Sequence, residues 1–370
     1  MAVRNPILEK YADVLVNYST KVKENDLVII YARGYEAQPL VKEIFKLCLI
    51  NGANPIVRTS MDEIAETFIK YANDSQLSYI DKMSEIEVEL ADVMIFIGAP
   101  YNIKSMASAD SSKVAKRSKA THPILAKRLE RSARGDMRWV IADYPTNALA
   151  QEANMSLEEY SEFLIKACYL DLDNPSKKWQ EIDNEQKRIA SILNQTSSLH
   201  IVADKTDITF STKGRTWVPC SGNMNFPDGE IFTSPVEDSA QGKIYFDFPQ
   251  NYHGSCAREV YLTLEKGKVV EAHAEIGNEF LQSMLNMDEG SRFVGEIAIG
   301  TNERVQNVTG NILFDEKIGG SIHMAVGASY PEAGGKNKSG LHWDMIKNMK
   351  ENSKIYADNK LIYENGKFII

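Results

Sequence analysis

The sequence predicts an α/β protein in two parts: an amino-terminal Rossmann- or flavodoxin-like parallel-sheet domain, then a mixed α+β, β-rich domain. Three observations lead there. Apolar strand runs alternate with helical patterns as far as about residue 143, which calls for a mostly parallel sheet covered on both faces. Past about Ser198 the texture changes to short alternating strands joined by hairpin-type turns. A chain of 370 residues is also too long for one small core.

In the first part, strands are expected at residues 26–31, 55–59, 91–98 and 138–143, with helices at about 38–49, 61–71 and 111–133 between them. Ser156 and Glu159 form an S-x-x-E capping box, opening a helix to about Leu170. Asn174-Pro175 starts another, in which Trp179, Ile182, Ile189, Ile192 and Leu193 share one apolar stripe. These two helices read as a connector, so the expected division is 1–197 and 198–370. In the second part, strands are expected at 200–203, 207–211, 243–247, 260–264 and 268–274. Glu-Lys-Gly-Lys at 265–268 and Glu-Asn-Gly-Lys at 364–367 are the turns, and one helix spans about 277–286.

Composition narrows the function. Hydrophobic residues make up 43% and charged residues 25%, as in ordinary globular proteins. A net charge of −9 and a pI of about 5.4 have the wrong sign for wrapping nucleic acid or lying on an anionic membrane. Cys48, Cys168, Cys220 and Cys256 are scattered without C-x-x-C pairing, so reduced and mostly buried thiols are expected. No signal-like segment and no run of ~20 apolar residues occurs, which predicts a cytoplasmic protein without a membrane span. The turn after the first strand carries a single glycine, Gly34, and no G-x-G-x-x-G. Gly334-Gly335-Lys336-Asn337 lacks both the first glycine and the Ser/Thr of a P-loop. Nucleotide binding is therefore disfavoured.

The chemistry concentrates between Glu230 and Asp344. Glu230, Glu296, His323, His342 and Asp344 each lie among apolar residues or beside glycines, where a carboxylate is costly unless a cation neutralises it. His342 and Asp344 are two apart, so in an extended segment both side chains point the same way. Read singly, each residue has a plainer account: a loop pair for His342 and Asp344, a satisfied core histidine for His323, the start of an element for Glu230. Glu296, leading an apolar run, is harder to explain without a cation. Together, three carboxylates and two imidazoles are a mixed O/N set that suits two divalent ions sharing one carboxylate. Tyr330, just beyond His323, is placed to donate to an oxyanion or simply to pack in a Tyr-Pro turn. Lys213 and Arg215 are expected in a solvated turn.

At these residues the chain resembles the M29 metallopeptidases, the family of aminopeptidases T, S and PepS. The resemblance rests on NFPDGEIFTSP (225–235), RFVGEIA (292–298), HMAVGASY (323–330) and KSGLHWDM (338–345), in the family's order. It extends to VLVNY (14–18), NGANP (51–55) and TDITFS (206–211), and so to nearly the whole chain. It implies metal ligands at Glu230, Glu296, His323, His342 and Asp344, with Tyr330 as the active-site tyrosine. Glu296 is the candidate for a carboxylate that bridges the ions or shuttles a proton. The implied activity is hydrolysis of the N-terminal peptide bond through water activated by two divalent ions, zinc, cobalt or manganese. Peptides with a free N-terminus are the implied partners, and a homodimer the implied assembly. Two rivals keep the same residues: a dinuclear hydrolase of non-peptide amides or phosphate esters, and an inactive peptide- or metal-binding relative.

Overall fold

A computed structural model describes residues 4–252 and 254–370. The chain divides into two compact units, one running to Lys178 and including Gly222–Pro227, the other formed by Trp179–Ser221 and Asp228–Ile370.

The first unit holds a five-stranded parallel sheet in the order Asn54–Ser60, Leu27–Arg33, Val93–Gly98, Arg138–Asp143 and Asn225–Phe226. Its four long strands are those expected from the apolar runs. The fifth is a two-residue piece from much later in the chain, too short to leave a pattern. The intervening helices include Gln38–Ile50, Asp62–Tyr71 and Ser111–Ala133. Open parallel sheets receive ligands where strand order reverses, here between the ends of Leu27–Arg33 and Val93–Gly98. Protein groups fill that place: Asp62 pairs with Arg33 at 2.5 Å and accepts from the Tyr101 backbone N–H at 2.8 Å. The Ser156 capping box is formed, with Glu159 N–H donating to Ser156 Oγ at 3.1 Å and Ser156 N–H to Glu159 Oε2 at 2.8 Å. Such caps are worth roughly 1 kcal/mol.

The second unit is built on two sheets. The larger has the path Gln250–Tyr252, Ser255–Glu265, Gln241–Phe246, Thr206–Ser211, Ser198–Ala203, Lys354–Ala357, Lys360–Glu364 and Lys367–Phe368, with Lys268–Ile276 pairing to Ser255–Glu265. The smaller runs His342–Asn348, Ser321–Gly327, Val294–Gly300, Glu230–Thr233 and Val218–Cys220, antiparallel throughout. One apolar cluster joins them: Leu199, Ile201, Ile208, Phe246 and Leu262 from the first, Ile297, Ile299, Ile322, Met324, Val326, Trp343 and Met345 from the second. Trp179, Ile189 and Leu193 of the helix Pro175–Leu193 are buried, as the stripe predicts. Full burial of each such side chain contributes about 1.5–3 kcal/mol, so this layer fixes the smaller sheet firmly.

Among the described residues the four cysteines form no disulfide, with Cys48 and Cys168 buried and the other two half-buried. Among the described residues no helix is long and apolar enough to cross a membrane.

Candidate metal centre

Four neighbouring strands of the smaller sheet carry the five residues singled out by sequence. Residues opposite one another across an antiparallel pair point to the same face, and those two apart along a strand do likewise. Glu230 lies opposite Gly300; Ala298 lies opposite His323; Glu296 lies opposite Ala325, which in turn faces Asp344; Gly327 lies opposite His342. All five side chains therefore rise from one face, while Ile297, Ile299, Met324, Trp343 and Met345 enter the core from the other. The positions between them are Ala298, Gly300, Ala325 and Gly327, small residues that leave space above the sheet.

A β-bulge aims Glu296. Val294 pairs with Val326 and Glu296 with Ala325, so Gly295 is an extra residue in its strand. Without that insertion Val294 and Glu296 would share a face; with it, Val294 joins the core and Glu296 faces the site. A Cβ on Gly295 would stand 2.1 Å from Ala328 O, so glycine is required for the strand to pass.

The side chains converge closely. His323 Nε2 is 3.2 Å from Glu230 Oε2 and 3.7 Å from Glu296 Oε1; His342 Nε2 is 3.2 Å from Glu296 Oε2 and 3.4 Å from Asp344 Oδ1. Donor atoms of Glu230, Glu296 and His323 lie within 4.8 Å of one another, and so do those of Glu296, His342 and Asp344. Glu296 belongs to both groups and offers one oxygen to each. Exposure rises along the row, from 1% for the His323 side chain to 26% for His342, so solvent enters from the His342 end.

These contacts are not a finished hydrogen-bond network. Glu230 Oε2, His342 Nε2 and Asp344 Oδ1 are buried without a hydrogen-bond partner among the described residues. Buried polar atoms left so are costly, and three converging in one pocket fit a cation that accepts their lone pairs. His342 Nδ1 lies 2.8 Å from the Ala328 carbonyl, which can only accept; Nδ1 therefore carries a proton, and Nε2 is the ring nitrogen left to face an ion. The donor set thus fits divalent metal.

Electrostatics agree. Burial raises the Glu230 carboxyl, but Lys317 and His323 outweigh it and hold it at about 2. Burial likewise works against charge on both imidazoles, yet Glu230 and Glu296 push His323, and Asp344 and Glu296 push His342, well above the usual range. Ligation must therefore displace protons. Raised histidines favour the ion-free fold at low pH and lose that contribution as pH rises through their folded values, so metal affinity should strengthen with pH through neutrality. Up to about 10-fold per pH unit is expected for each proton released. Calorimetric titration with a divalent ion in buffers of different ionisation enthalpy checks this; affinity independent of pH from 6 to 8 would contradict it.

Three site residues escaped sequence reasoning. Glu316 groups with His323 and Asp344 within the same 4.8 Å, and burial pushes its carboxyl up to about 8. Lys317 is wholly buried against Glu230 and Glu316, and Asp228 lies beside it. The Asp-Glu-Lys run that begins at the last residue of the short helix Ile312–Asp315 looks like solvated charge; its only signal was the apolar sequence on either side.

Tyr330 lies at the edge of the site, its ring 5.1 Å from that of Phe232 and 5.0 Å from that of His342. Although about a third of the residue is exposed, loss of water around the phenol and the charges of Glu296, Asp344, Glu316 and Glu230 push it well above its usual range. It therefore stays a hydrogen-bond donor. Arg215 corrects an expectation: Lys213 is exposed, but the Arg215 side chain is only 6% exposed and pairs with Glu237 at 2.6 Å. Glu237 also accepts from the Lys336 backbone N–H at 2.7 Å, which ties Arg215 to the loop after Tyr330 rather than to solvent.

Comparison with known proteins agrees with this geometry. Aminopeptidase 2 of Geobacillus stearothermophilus is 27% identical over 351 residues, covering 88% of this chain and 84% of that protein. Among solved structures, wild-type AmpT from Thermus thermophilus superposes with a TM-score of 0.86 at 22% identity, over 98% of this chain and 99% of that one. The 2,5-dihydroxypyridine dioxygenase of Pseudomonas putida KT2440 matches with a TM-score of 0.63 at 18% identity, over 99% and 98%. One fold thus carries proteins named for different reactions, and the donor set must decide the chemistry. The model of the thermophilic metalloprotease (M29) family matches residues 4–368, and this chain belongs to that family.

Proposed function

We propose that the protein is a metal-dependent aminopeptidase that hydrolyses the N-terminal peptide bond of peptides. The observation that carries the reading is the pair of donor groups sharing Glu296, with unpartnered lone pairs turned inward. Glu230, Glu296 and His323 would hold one divalent ion, and Glu296, His342 and Asp344 a second. The set suits zinc, cobalt or manganese. Bound there, such ions would supply Lewis acidity toward a carbonyl and lower the pKa of water.

The chain's own groups do the rest. Glu296 turns one oxygen toward His323 and the other toward His342, which suits bridging and leaves it little freedom to carry a proton. Glu316, with its carboxyl at about 8, is the better proton carrier near neutral pH. The Tyr330 phenol, protonated and beside His342, donates to the oxygen that gains charge as the amide is attacked. Substrate enters from the open His342 end. Relatives named aminopeptidases support the peptide substrate. The reading includes a homodimer, which light scattering of the purified chain tests.

The functional experiment assays amino-acid p-nitroanilides beside phosphate esters, before and after chelation. Anilide cleavage lost to chelator and restored by a divalent ion is expected. Ester cleavage alone would move the protein to the non-peptide reading, and turnover of neither by the metal-loaded chain would make it a binding relative.

A further inference from the structure

Lys317 is 0% exposed and sits among acids. Its Nζ is 2.6 Å from Glu230 Oε1, 2.6 Å from Glu316 Oε1 and 3.5 Å from Asp228 Oδ1. A buried ammonium is costly unless its geometry and partners are excellent, and here three carboxylates surround it. A further observation bears on the same spot. Cys220, Asp228 and Glu230 form another group whose donor atoms all lie within 4.8 Å, adjoining the two that share Glu296. Beside the two groups that share Glu296, and the Glu316, His323 and Asp344 group that overlaps them, the side chains therefore offer one further place for a cation.

We propose that Lys317 is a built-in third cation: its ammonium takes the place for which Cys220, Asp228, Glu230 and Glu316 supply donors, which limits the centre to two divalent ions. The inference rests on the dinuclear reading given above. Two features support it. First, Glu230 is divided between the two roles, with Oε1 on Lys317 and Oε2 turned unpartnered toward His323. The lysine thus orients Glu230 to present a single oxygen before any ion arrives. Second, the ammonium is tethered: held 2.6 Å from Glu230 Oε1 and Glu316 Oε1 and 3.5 Å from Asp228 Oδ1, it cannot dissociate as a bound ion would. Lys317 is accordingly a positioning residue, acting on Glu230 and not on substrate.

The test counts zinc per chain by elemental analysis after dialysis against excess Zn²⁺, together with the thermal midpoint with and without chelator. Zinc is the probe because Cys220 would add a soft donor. Wild type and K317R are expected to hold two ions. K317A, which opens space and removes the charge, is expected to hold three and to depend on zinc for its stability. K317M, which fills the space without charge, is expected to hold two at most and to melt lower by about 10 °C. A folded K317A holding no more zinc than wild type overturns the inference. If K317A is insoluble with and without zinc, K317M decides: a midpoint equal to wild type overturns the proposal, and a lowered one restored in K317R upholds it. Fewer than two ions on the wild type would instead count against the dinuclear reading, while the difference between K317A and wild type would still judge Lys317.

Discussion

Glu296→Gln is expected to lower the bound metal from two ions to one or none and to reduce anilide cleavage by at least ~10³-fold, about 4 kcal/mol of lost transition-state stabilisation. The effect should exceed that of any other single ligand because Glu296 alone belongs to both donor groups. Glutamine keeps the size of the side chain, so the bulge at Gly295 and the pairing of Glu296 with Ala325 need not change. What is lost is one anionic oxygen, replaced by an amide nitrogen that repels a cation. Metal analysis and circular dichroism of the same preparation separate this from misfolding. A folded E296Q chain that keeps two ions and more than a tenth of wild-type activity would refute the shared-carboxylate arrangement.

Tyr330→Phe should act differently, lowering kcat by roughly 10²-fold while metal content and KM stay near wild type. The ring would keep its contacts with Phe232 and His342, and the loop its anchors: the Tyr330 backbone N–H donates to Ser234 Oγ at 3.1 Å, and Glu237 holds Lys336. Only the phenolic proton disappears. Since that proton is held firmly by burial and four nearby acids, the wild-type donor is present across the working pH range. A Y330F enzyme with an unchanged kcat would remove the tyrosine from the mechanism.

Much of this architecture is legible in the chain because its signals are local. Apolar runs at 26–31, 91–98 and 138–143 form a parallel sheet since each is followed or preceded by a helix long enough to cross it. The Ser156 cap and the stripe from Trp179 to Leu193 are likewise written within a few turns. The pair His342 and Asp344 shares a face simply because a strand alternates every residue. Other features resist such reading. Asn225–Phe226 joins the first sheet through only two residues, and no two-residue pattern identifies a strand. Arg215 looks like a solvated turn cation until Glu237, 22 positions later, folds against it.

Local sequence sets the alternation of elements, the type of each donor, and the glycines and alanines that keep space around them. Tertiary structure decided that Glu296 and not another acid stands between the two histidines, that Val294 and Glu296 face opposite ways, and that Lys317 is buried among carboxylates instead of solvated. The physical reason is range. Periodicity and capping depend on neighbours a few residues away, whereas the meeting of residues 230, 296, 316, 323 and 344 depends on the register of strands far apart in the chain, set by the apolar side chains on the opposite face of their sheet.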